Sequence, residues 1–222
     1  MIKDIEDIFK DSSIRVIGII GDPNQAKSNT MYHLINVLKH KYDGAKIYAY
    51  GLRTKVEGVQ DIHVVSELET IRDSVIFVDE FYDFLRMSNR KSAEKAEACL
   101  RTIYHQNNII ILSGLPHNFN KFVSGLLQGV IFKQCLLEDF IQRSSVQQFI
   151  MAYSGGYEVH KASEVLSMPK NVALVWLKGE HEYEVDIPYV ESGDTKRMNK
   201  PVLVAKEEKR LANKLNGMIK AG

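Results

Sequence analysis

The sequence predicts an α/β fold in which helices cover both faces of a mostly parallel sheet. Four short segments are apolar almost throughout, and they lie at 14–20, 75–78, 109–112 and 130–132. Strands of this composition are typical of parallel sheets, because both of their faces are buried. Segments with helical spacing separate them, and this alternation of strand and helix indicates an α/β domain.

The first half of the chain supplies elements of both kinds. Residues 28–42 carry apolar side chains at the spacing of a helix that packs on a sheet. The predicted elements are, in order, a short amphipathic helix (2–10), a strand (14–20), a helix (28–42), two short strands (45–51 and 62–66) and a helix that begins at Ser66.

The second half continues the alternation as far as residue 136. We predict a strand (74–80), a polar helix (90–106), a strand (108–114), a helix (118–129) and a strand (130–135). The pattern then changes to helical material up to about 153, followed by two strands around a turn near Gly179.

The domain organisation follows from these elements. We predict one domain at 1–192, with its core at about 14–136 and a C-terminal hairpin at about 172–190. A basic tail, helical or flexible, is predicted at 193–222. From Asp194 onward this tail has eight Lys or Arg and three Asp or Glu, which leaves a net charge of +5.

The composition sets limits on function. The 222 residues are 45% hydrophobic, and the formal net charge is +1, so no global field indicates a nucleic-acid partner. The start of the chain mixes acids and bases, and no window approaches the ~20 apolar residues of a membrane span. We therefore expect a soluble or peripheral protein without a signal peptide, with Cys99 and Cys135 reduced and buried.

A phosphate-binding motif follows the first strand. Gly21, Lys27 and Ser28 match the pattern G-x-x-x-x-G-K-[S/T], and a helix begins directly afterwards. Backbone N–H groups at a helix N-terminus bind phosphate, the lysine reaches the β- and γ-phosphates, and the hydroxyl ligates Mg²⁺. We predict that ATP is bound by Gly21, Asp22, Pro23, Asn24, Gln25, Ala26, Lys27, Ser28 and Asn29, with Ser28 also a ligand of Mg²⁺.

Ala26 stands where the pattern has its second glycine. If this position has helical backbone, alanine adds only a methyl group near the phosphate. If it needs a positive φ, alanine is strained by roughly 1 kcal/mol or more. The sequence leaves both alternatives open.

Two carboxylates end the strand at 74–80. The carboxyl ends of parallel strands form the edge at which ligands bind. Asp79 is predicted to hold Mg²⁺, and Glu80 to polarise the water that attacks the γ-phosphate. The alternative is a pair of acids at the start of a helix, where acids are common. The preceding phosphate loop favours the catalytic interpretation.

Two further residues complete the predicted site. Ser113 ends the strand at 108–114, where a polar residue that senses the γ-phosphate is often found; the alternative is a serine that caps a turn. Arg101 lies on the helix before that strand and is a candidate for an arginine that acts on a neighbouring subunit. The alternative for Arg101 is an ordinary solvated side chain.

The order GDPNQAKS, VDEFYDF, LRTIYHQ and NIIILSG resembles the genome-packaging ATPases of membrane-containing, double-jelly-roll viruses (tectivirus-like). These belong to the FtsK–HerA group of P-loop ATPases. The most particular likeness is the acidic pair followed by Phe-Tyr and, some 20 residues later, by a Leu-Arg…His helix. The resemblance covers roughly 14–135, and it implies a P-loop NTPase fold of the RecA/FtsK-like type.

The resemblance also implies a mechanism and partners. It places Lys27 and Ser28 on phosphates and Mg²⁺, Asp79 on Mg²⁺, Glu80 as catalytic base and Arg101 as the trans-acting arginine. It implies a homo-oligomeric ring around double-stranded DNA, docked to capsid proteins at the packaging vertex of a virion after assembly in the host cytoplasm. Gly114 departs from the family, which often has a glutamine after the position of Ser113.

Three functions remain open at this point: a DNA-translocating motor, a non-motor P-loop protein such as a small kinase or an assembly factor, and a structural clamp. The basic tail is compatible with binding DNA phosphates, a capsid or a viral membrane surface. A kinase needs a basic lid over the phosphates, and the sequence has no clear one. The presence of both Asp79 and Glu80 argues against the clamp.

Overall fold

The structure, a computed structural model, describes residues 5–9, 14–41, 44, 46–63, 65–81, 90–119, 121–135, 168–177 and 183–190. The strands are β1 (Val16–Ile20), β2 (Ile47–Tyr50), β3 (Val59–Ile62), β4 (Val75–Val78), β5 (Ile109–Gly114), β6 (Gly129–Phe132), β7 (Val172–Leu177) and β8 (Tyr183–Asp186). The α-helices are α1 (Lys27–Lys41), α2 (Val65–Leu68), α3 (Arg90–His105) and α4 (Lys121–Leu126), and 3₁₀ helices lie at Ile5–Phe9 and Pro116–Asn118.

The described strands form one sheet in the order β3-β2-β4-β5-β1-β6-β7-β8. All neighbours from β3 to β6 pair in parallel, and β7 and β8 add an antiparallel edge. The strand that precedes the two carboxylates, β4, is not a neighbour of β1, because β5 lies between them. This arrangement brings the ends of β4, β5 and β1 side by side.

The core lies on both faces of this sheet. On one face, alternate residues of β1, β4, β5, β6 and β7 form a single buried cluster with α2, α3 and α4, to which α3 contributes Cys99, Leu100 and Ile103. The buried residues of α1 lie outside that cluster although α1 contacts β1 and β5, so α1 covers the opposite face. The predicted α/β fold with helices on both faces is confirmed.

Most strands and helices fall where the sequence predicts them, with one clear difference. The third strand is β3 at Val59–Ile62, whereas the apolar run predicted it at 62–66; residues from Val65 belong to α2. β3 is an edge strand that is only partly buried, so its sequence VQDI lacks the apolar character of the inner strands. Both cysteines are buried and reduced, as expected, and burial raises the pKa of the Cys99 thiol to about 11.

Several predicted features lie outside the described residues: the helical material at 136–153, the turn near Gly179 and the tail at 193–222. The described residues 53–57 belong to a second unit by their contacts, separate from the rest of the described chain. In the ranges that the structure describes, no helix has the length and hydropathy needed to cross a membrane.

Candidate functional site

The predicted phosphate loop connects the end of β1 to the start of α1, and neighbouring strands hold it at both sides. The N–H of Gly21 donates to the carbonyl of Gly114 at 3.4 Å, and the N–H of Asp22 donates to the carbonyl of Gln134 at 3.0 Å. A Cβ on Gly21 would lie 2.6 Å from the Cβ of Lys133, so glycine is required here for space. The loop therefore begins at a fixed point beside β5 and β6.

The middle of the loop has left-handed backbone at two residues. Asn24 has a φ of 64° and Ala26 a φ of 60°. Of the two alternatives that the sequence left open for Ala26, the positive φ applies. Ala26 occupies a conformation that favours glycine, and it carries a strain of roughly 1 kcal/mol. Its carbonyl still accepts the first hydrogen bond of α1, from the N–H of Thr30 at 3.0 Å.

Lys27 is buried at the first position of α1, and its side chain turns back into the loop. The ammonium donates to the carbonyl of Asp22 at 2.9 Å. Burial lowers the pKa of Lys27, and the negative charges of Glu80, Asp79 and Asp22 partly oppose this. The lysine predicted to contact phosphate therefore lies beside both carboxylates of β4.

Asp79, which directly follows β4, connects the phosphate loop to the end of β5. Its Oδ2 accepts a hydrogen bond from the Oγ of Ser28 at 2.9 Å, and its Oδ1 accepts one from the Oγ of Ser113. Asp79 is buried and so is Ser113. The structure thus brings together the two predicted Mg²⁺ ligands and the predicted sensor, which are up to 85 residues apart in the sequence.

Glu80 follows Asp79 in a strained conformation with a φ of 47°. Its N–H donates to the Oδ1 of Asp79 at 3.1 Å and to the Oγ of Ser113 at 3.3 Å. The side chain is partly accessible. Left-handed backbone at a non-glycine residue is concentrated at functional sites, because other interactions must maintain it.

The end of β5 leaves no room for a side chain at position 114. A Cβ on Gly114 would lie 2.8 Å and 2.9 Å from two atoms of the Phe81 ring. Phe81 is fully buried, and its ring centre lies 4.6 Å from that of Phe119. This aromatic pair occupies the space that a side chain at position 114 would need, so Ser113 is the last residue of β5 that presents a polar side chain to the site.

Two predicted site residues have a different environment. Asn29 uses its side-chain amide to hold the chain after β8: its Nδ2 donates to the carbonyl of Pro188 at 3.1 Å, and its Oδ1 accepts from the N–H of Val190 at 2.9 Å. Arg101 is exposed in the last turns of α3. α3 ends beside Gln106, whose carbonyl accepts a hydrogen bond from the N–H of Asp73, shortly before β4 begins. The C-terminal end of α3 is therefore at the edge of the sheet opposite the phosphate loop, and Arg101 is near that edge.

Lys133 is a structural residue that the sequence did not reveal. It is fully buried directly after β6, and its ammonium donates to the carbonyls of Lys170 at 2.8 Å and Val172 at 2.6 Å. Burial lowers its pKa to about 8. The only signal in the sequence was a lysine at the end of an apolar strand, which is equally typical of a solvated strand end.

The arrangement suits Mg²⁺ with a nucleotide better than a metal held by protein alone. In the described part of the chain, no three His, Cys, Asp or Glu side chains converge on a metal-sized space. Mg²⁺ is usually bound by one or two protein oxygens together with phosphates and water. The Oγ of Ser28 and the carboxylate of Asp79 provide such a pair. In the phosphate loop, the Oε1 of Gln25 is buried and accepts no hydrogen bond from the described residues.

A β1–loop–α1 unit with Lys27 and Ser28, and an acidic pair two strands away, define the fold and site of a P-loop NTPase. No protein-family model and no curated protein matches the chain.

Solved structures do match. The genome packaging NTPase B204 from Sulfolobus turreted icosahedral virus 2, in complex with ATP-gammaS, has a TM-score of 0.57 and 14% identity over 80% of this chain and 98% of that chain. The DNA-packaging ATPase B204 from Sulfolobus Turreted Icosahedral Virus has a TM-score of 0.52 and 15% identity over the same shares. EssC (ATPases 2 and 3) from Geobacillus thermodenitrificans has a TM-score of 0.54 and 11% identity over 93% of this chain and 44% of that chain.

At these identities the likeness is one of fold. It confirms the predicted P-loop NTPase fold and the predicted similarity of fold to viral genome-packaging ATPases.

Proposed function

We propose that this protein is an ATP-hydrolysing motor that translocates double-stranded DNA and packages a viral genome into a preformed capsid. The observation that carries the proposal is the pair of hydrogen bonds at Asp79, which joins Ser28 of the phosphate loop to Ser113 of β5. The likeness of fold to B204, which is described as a DNA-packaging ATPase, supports the same class of function.

The first part of the mechanism is nucleotide binding. The N–H groups at the start of α1 and the ammonium of Lys27 bind the phosphates of ATP, and Lys27 exchanges the carbonyl of Asp22 for phosphate oxygens. Ser28 and Asp79 would hold Mg²⁺, which when bound neutralises charge on the β- and γ-phosphates. The hydrogen bond between Ser28 and Asp79 keeps both oxygens in place for this role.

The second part is hydrolysis. Glu80 accepts a proton from the attacking water, and the hydrogen bonds of its N–H to Asp79 and Ser113 fix its backbone. Ser113 lies between the loop strand and the carboxylate strand, where its hydroxyl responds to the γ-phosphate. Arg101 is assigned to a neighbouring subunit's site, which agrees with its exposed position at the opposite edge of its own sheet.

The proposed partners follow from the motor function. We assign the chain to a homo-oligomeric ring around double-stranded DNA, docked to capsid proteins at the packaging vertex of the virion. The tail at 193–222, with its net positive charge, is assigned to DNA phosphates or to the capsid and the viral membrane beside it.

A non-motor P-loop protein is the second candidate, because the site described above also suits a small-molecule kinase or a nucleotide-dependent assembly factor. The two candidates differ in what happens to the γ-phosphate. A motor transfers it to water at a rate that DNA increases, whereas a kinase transfers it to an acceptor.

ATP turnover with and without linear double-stranded DNA tests the proposal. We expect DNA to stimulate hydrolysis. Glu80→Gln should lower kcat by at least about 10²-fold and retain ATP binding, because it removes the base and leaves the phosphate contacts. Lys27→Ala should lose ATP affinity as well. Glu184→Gln, at an exposed carboxylate on β8, is the matched control and should resemble the wild type.

Two results would contradict the motor. The first is turnover that DNA does not change, combined with phosphate transfer to a small acceptor. The second is full hydrolysis by Glu80→Gln, which would remove the assigned base from the mechanism.

A further inference from the structure

Tyr189 is an exposed aromatic residue near the phosphate loop. Its side chain has 60% of its surface accessible, and no other large hydrophobic side chain of the described residues is exposed. A single exposed aromatic is common on protein surfaces and needs no explanation by itself. What distinguishes this one is the way in which its backbone is held beside the phosphate loop.

The backbone on both sides of Tyr189 is fixed to the first turn of α1. The carbonyl of Pro188 and the N–H of Val190 both bind the side-chain amide of Asn29. One step earlier, Ile187 is buried, and its N–H donates to the carbonyl of Asn171 at 2.6 Å. Tyr189 is therefore an exposed side chain on a fixed backbone, so that little backbone entropy remains to be lost when it binds a ligand.

The sheet order determines which end of the nucleotide lies near Tyr189. Asp79, Glu80 and Ser113, which act at the γ-phosphate in the proposed function, are on the β4 and β5 side of β1. We therefore place the nucleoside on the other side of β1. That is the side of β6, β7 and β8, and residues 187–190 follow β8 there and reach Asn29, next to Ser28.

We propose that Tyr189 stacks on the base of the bound nucleotide and that Asn29 is the positioning residue that holds it there. This inference rests on the proposed ATP-binding function. It assigns Asn29 an indirect role, whereas the sequence predicted a direct contact with the cofactor. Aromatic stacking accepts any base, because every base has a π-face. The site therefore takes nucleoside triphosphates with little discrimination between bases.

Binding of ATP and of tripolyphosphate, each with Mg²⁺, separates the base from the phosphates. Tyr189→Ala should weaken ATP binding by about 5- to 100-fold, in line with the contribution of base–aromatic stacking, and should leave tripolyphosphate binding unchanged. Tyr189→Phe keeps the ring and should retain ATP affinity. Asn29→Ala should reproduce part of the loss for ATP and none for tripolyphosphate.

A fluorescence measurement reports the stacking directly. In Tyr189→Trp, ATP should quench the emission of the new tryptophan, and tripolyphosphate should not. The wild type, in which Trp176 is buried, provides the background signal.

The outcomes separate this inference from the function on which it rests. If the wild type binds neither ATP nor tripolyphosphate, both proposals fail. If the wild type binds ATP and Tyr189→Ala binds it equally well, only the stacking is overturned. An equal loss of both ligands in Tyr189→Ala would show a structural role and would also overturn the stacking.

Discussion

At the scale of single residues, three of the five described non-glycine residues with left-handed backbone lie at the site. Asn24, Ala26 and Glu80 have φ values of 64°, 60° and 47°. Asparagine tolerates this region, because its short polar side chain bonds locally, whereas alanine and glutamate gain nothing comparable. The strain at Ala26 and Glu80 is maintained by the hydrogen bonds of the loop and of Asp79.

Ala26→Gly should therefore stabilise the protein. Glycine removes the strain of the Cβ at positive φ, which is worth roughly 1 kcal/mol, although its greater freedom in the unfolded chain offsets part of this. We expect the free energy of unfolding to rise by about 0.5 kcal/mol and nucleotide affinity to be equal or better. Urea denaturation and ATP titration measure the two quantities.

The matched control is Ala98→Gly. Ala98 is exposed in the middle of α3, where the backbone is helical, and glycine there should lower the free energy of unfolding by about 1 kcal/mol. If both substitutions destabilise the protein equally, Ala26 has no strain to relieve. If Ala26→Gly loses ATP binding, the alanine methyl group has a role in the loop.

At the scale of elements, the packing at the end of β5 is coupled to the packing of the residues that follow β4. Gly114→Ala would place a methyl group less than 3 Å from the Phe81 ring, next to Glu80. Overpacking of this kind costs about 1–3 kcal/mol, and we expect that loss in the free energy of unfolding. We also expect a lower kcat, since a shift of Phe81 moves the adjacent Glu80.

A double-mutant cycle tests this coupling. Phe81→Leu alone should destabilise the protein, because it removes part of a buried ring that packs against Phe119. In the Gly114→Ala background the same change should cost less, since leucine leaves room for the added methyl group. Additive effects would show that Gly114 and Phe81 are not in steric conflict.

The elements were the most predictable part of the molecule. The inner strands β1, β4, β5 and β6 are apolar almost throughout because they are buried on both faces, and this composition reveals them in the sequence. The edge strand β3 has no such composition, and the sequence predicted it at 62–66 instead of Val59–Ile62. Local sequence patterns therefore report the burial of a segment more reliably than they report its pairing.

The site was predictable in its residue types but not in its contacts. Lys27, Ser28, Asp79 and Ser113 follow known spacings, and the structure brings them together. The φ of Ala26 and the hydrogen bonds of Asn29 could not be predicted, because they depend on segments far away in the sequence. Val190, for example, is 161 residues from Asn29.

At the scale of the whole molecule, Lys133 joins the parallel part of the sheet to its antiparallel edge. It lies between the end of β6 and the start of β7, which are separated by 39 residues in the sequence. Its two hydrogen bonds go to the carbonyls of Lys170 and Val172, and its Cβ occupies the space next to Gly21 of the phosphate loop. The arrangement requires an ammonium group in a desolvated position.

This burial predicts a dependence of stability on pH. The folded protein has a Lys133 pKa of about 8, and the ordinary value is 10.5, so the unfolded chain binds the proton more tightly between these values. The loss of unfolding free energy that results from burying the charged lysine is fully present below pH 8 and disappears as the pH rises towards 10.5. Relative to Lys133→Met, which lacks the titrating group, the wild type should gain roughly 2 kcal/mol of unfolding free energy between pH 7 and 10.

Urea denaturation of both proteins at several pH values measures this difference, and the comparison cancels the groups that titrate in both. Lys46→Met, at an exposed lysine, is the control and should run parallel to the wild type. A difference between wild type and Lys133→Met that stays constant from pH 7 to 10 would show that Lys133 keeps its charge at ordinary cost.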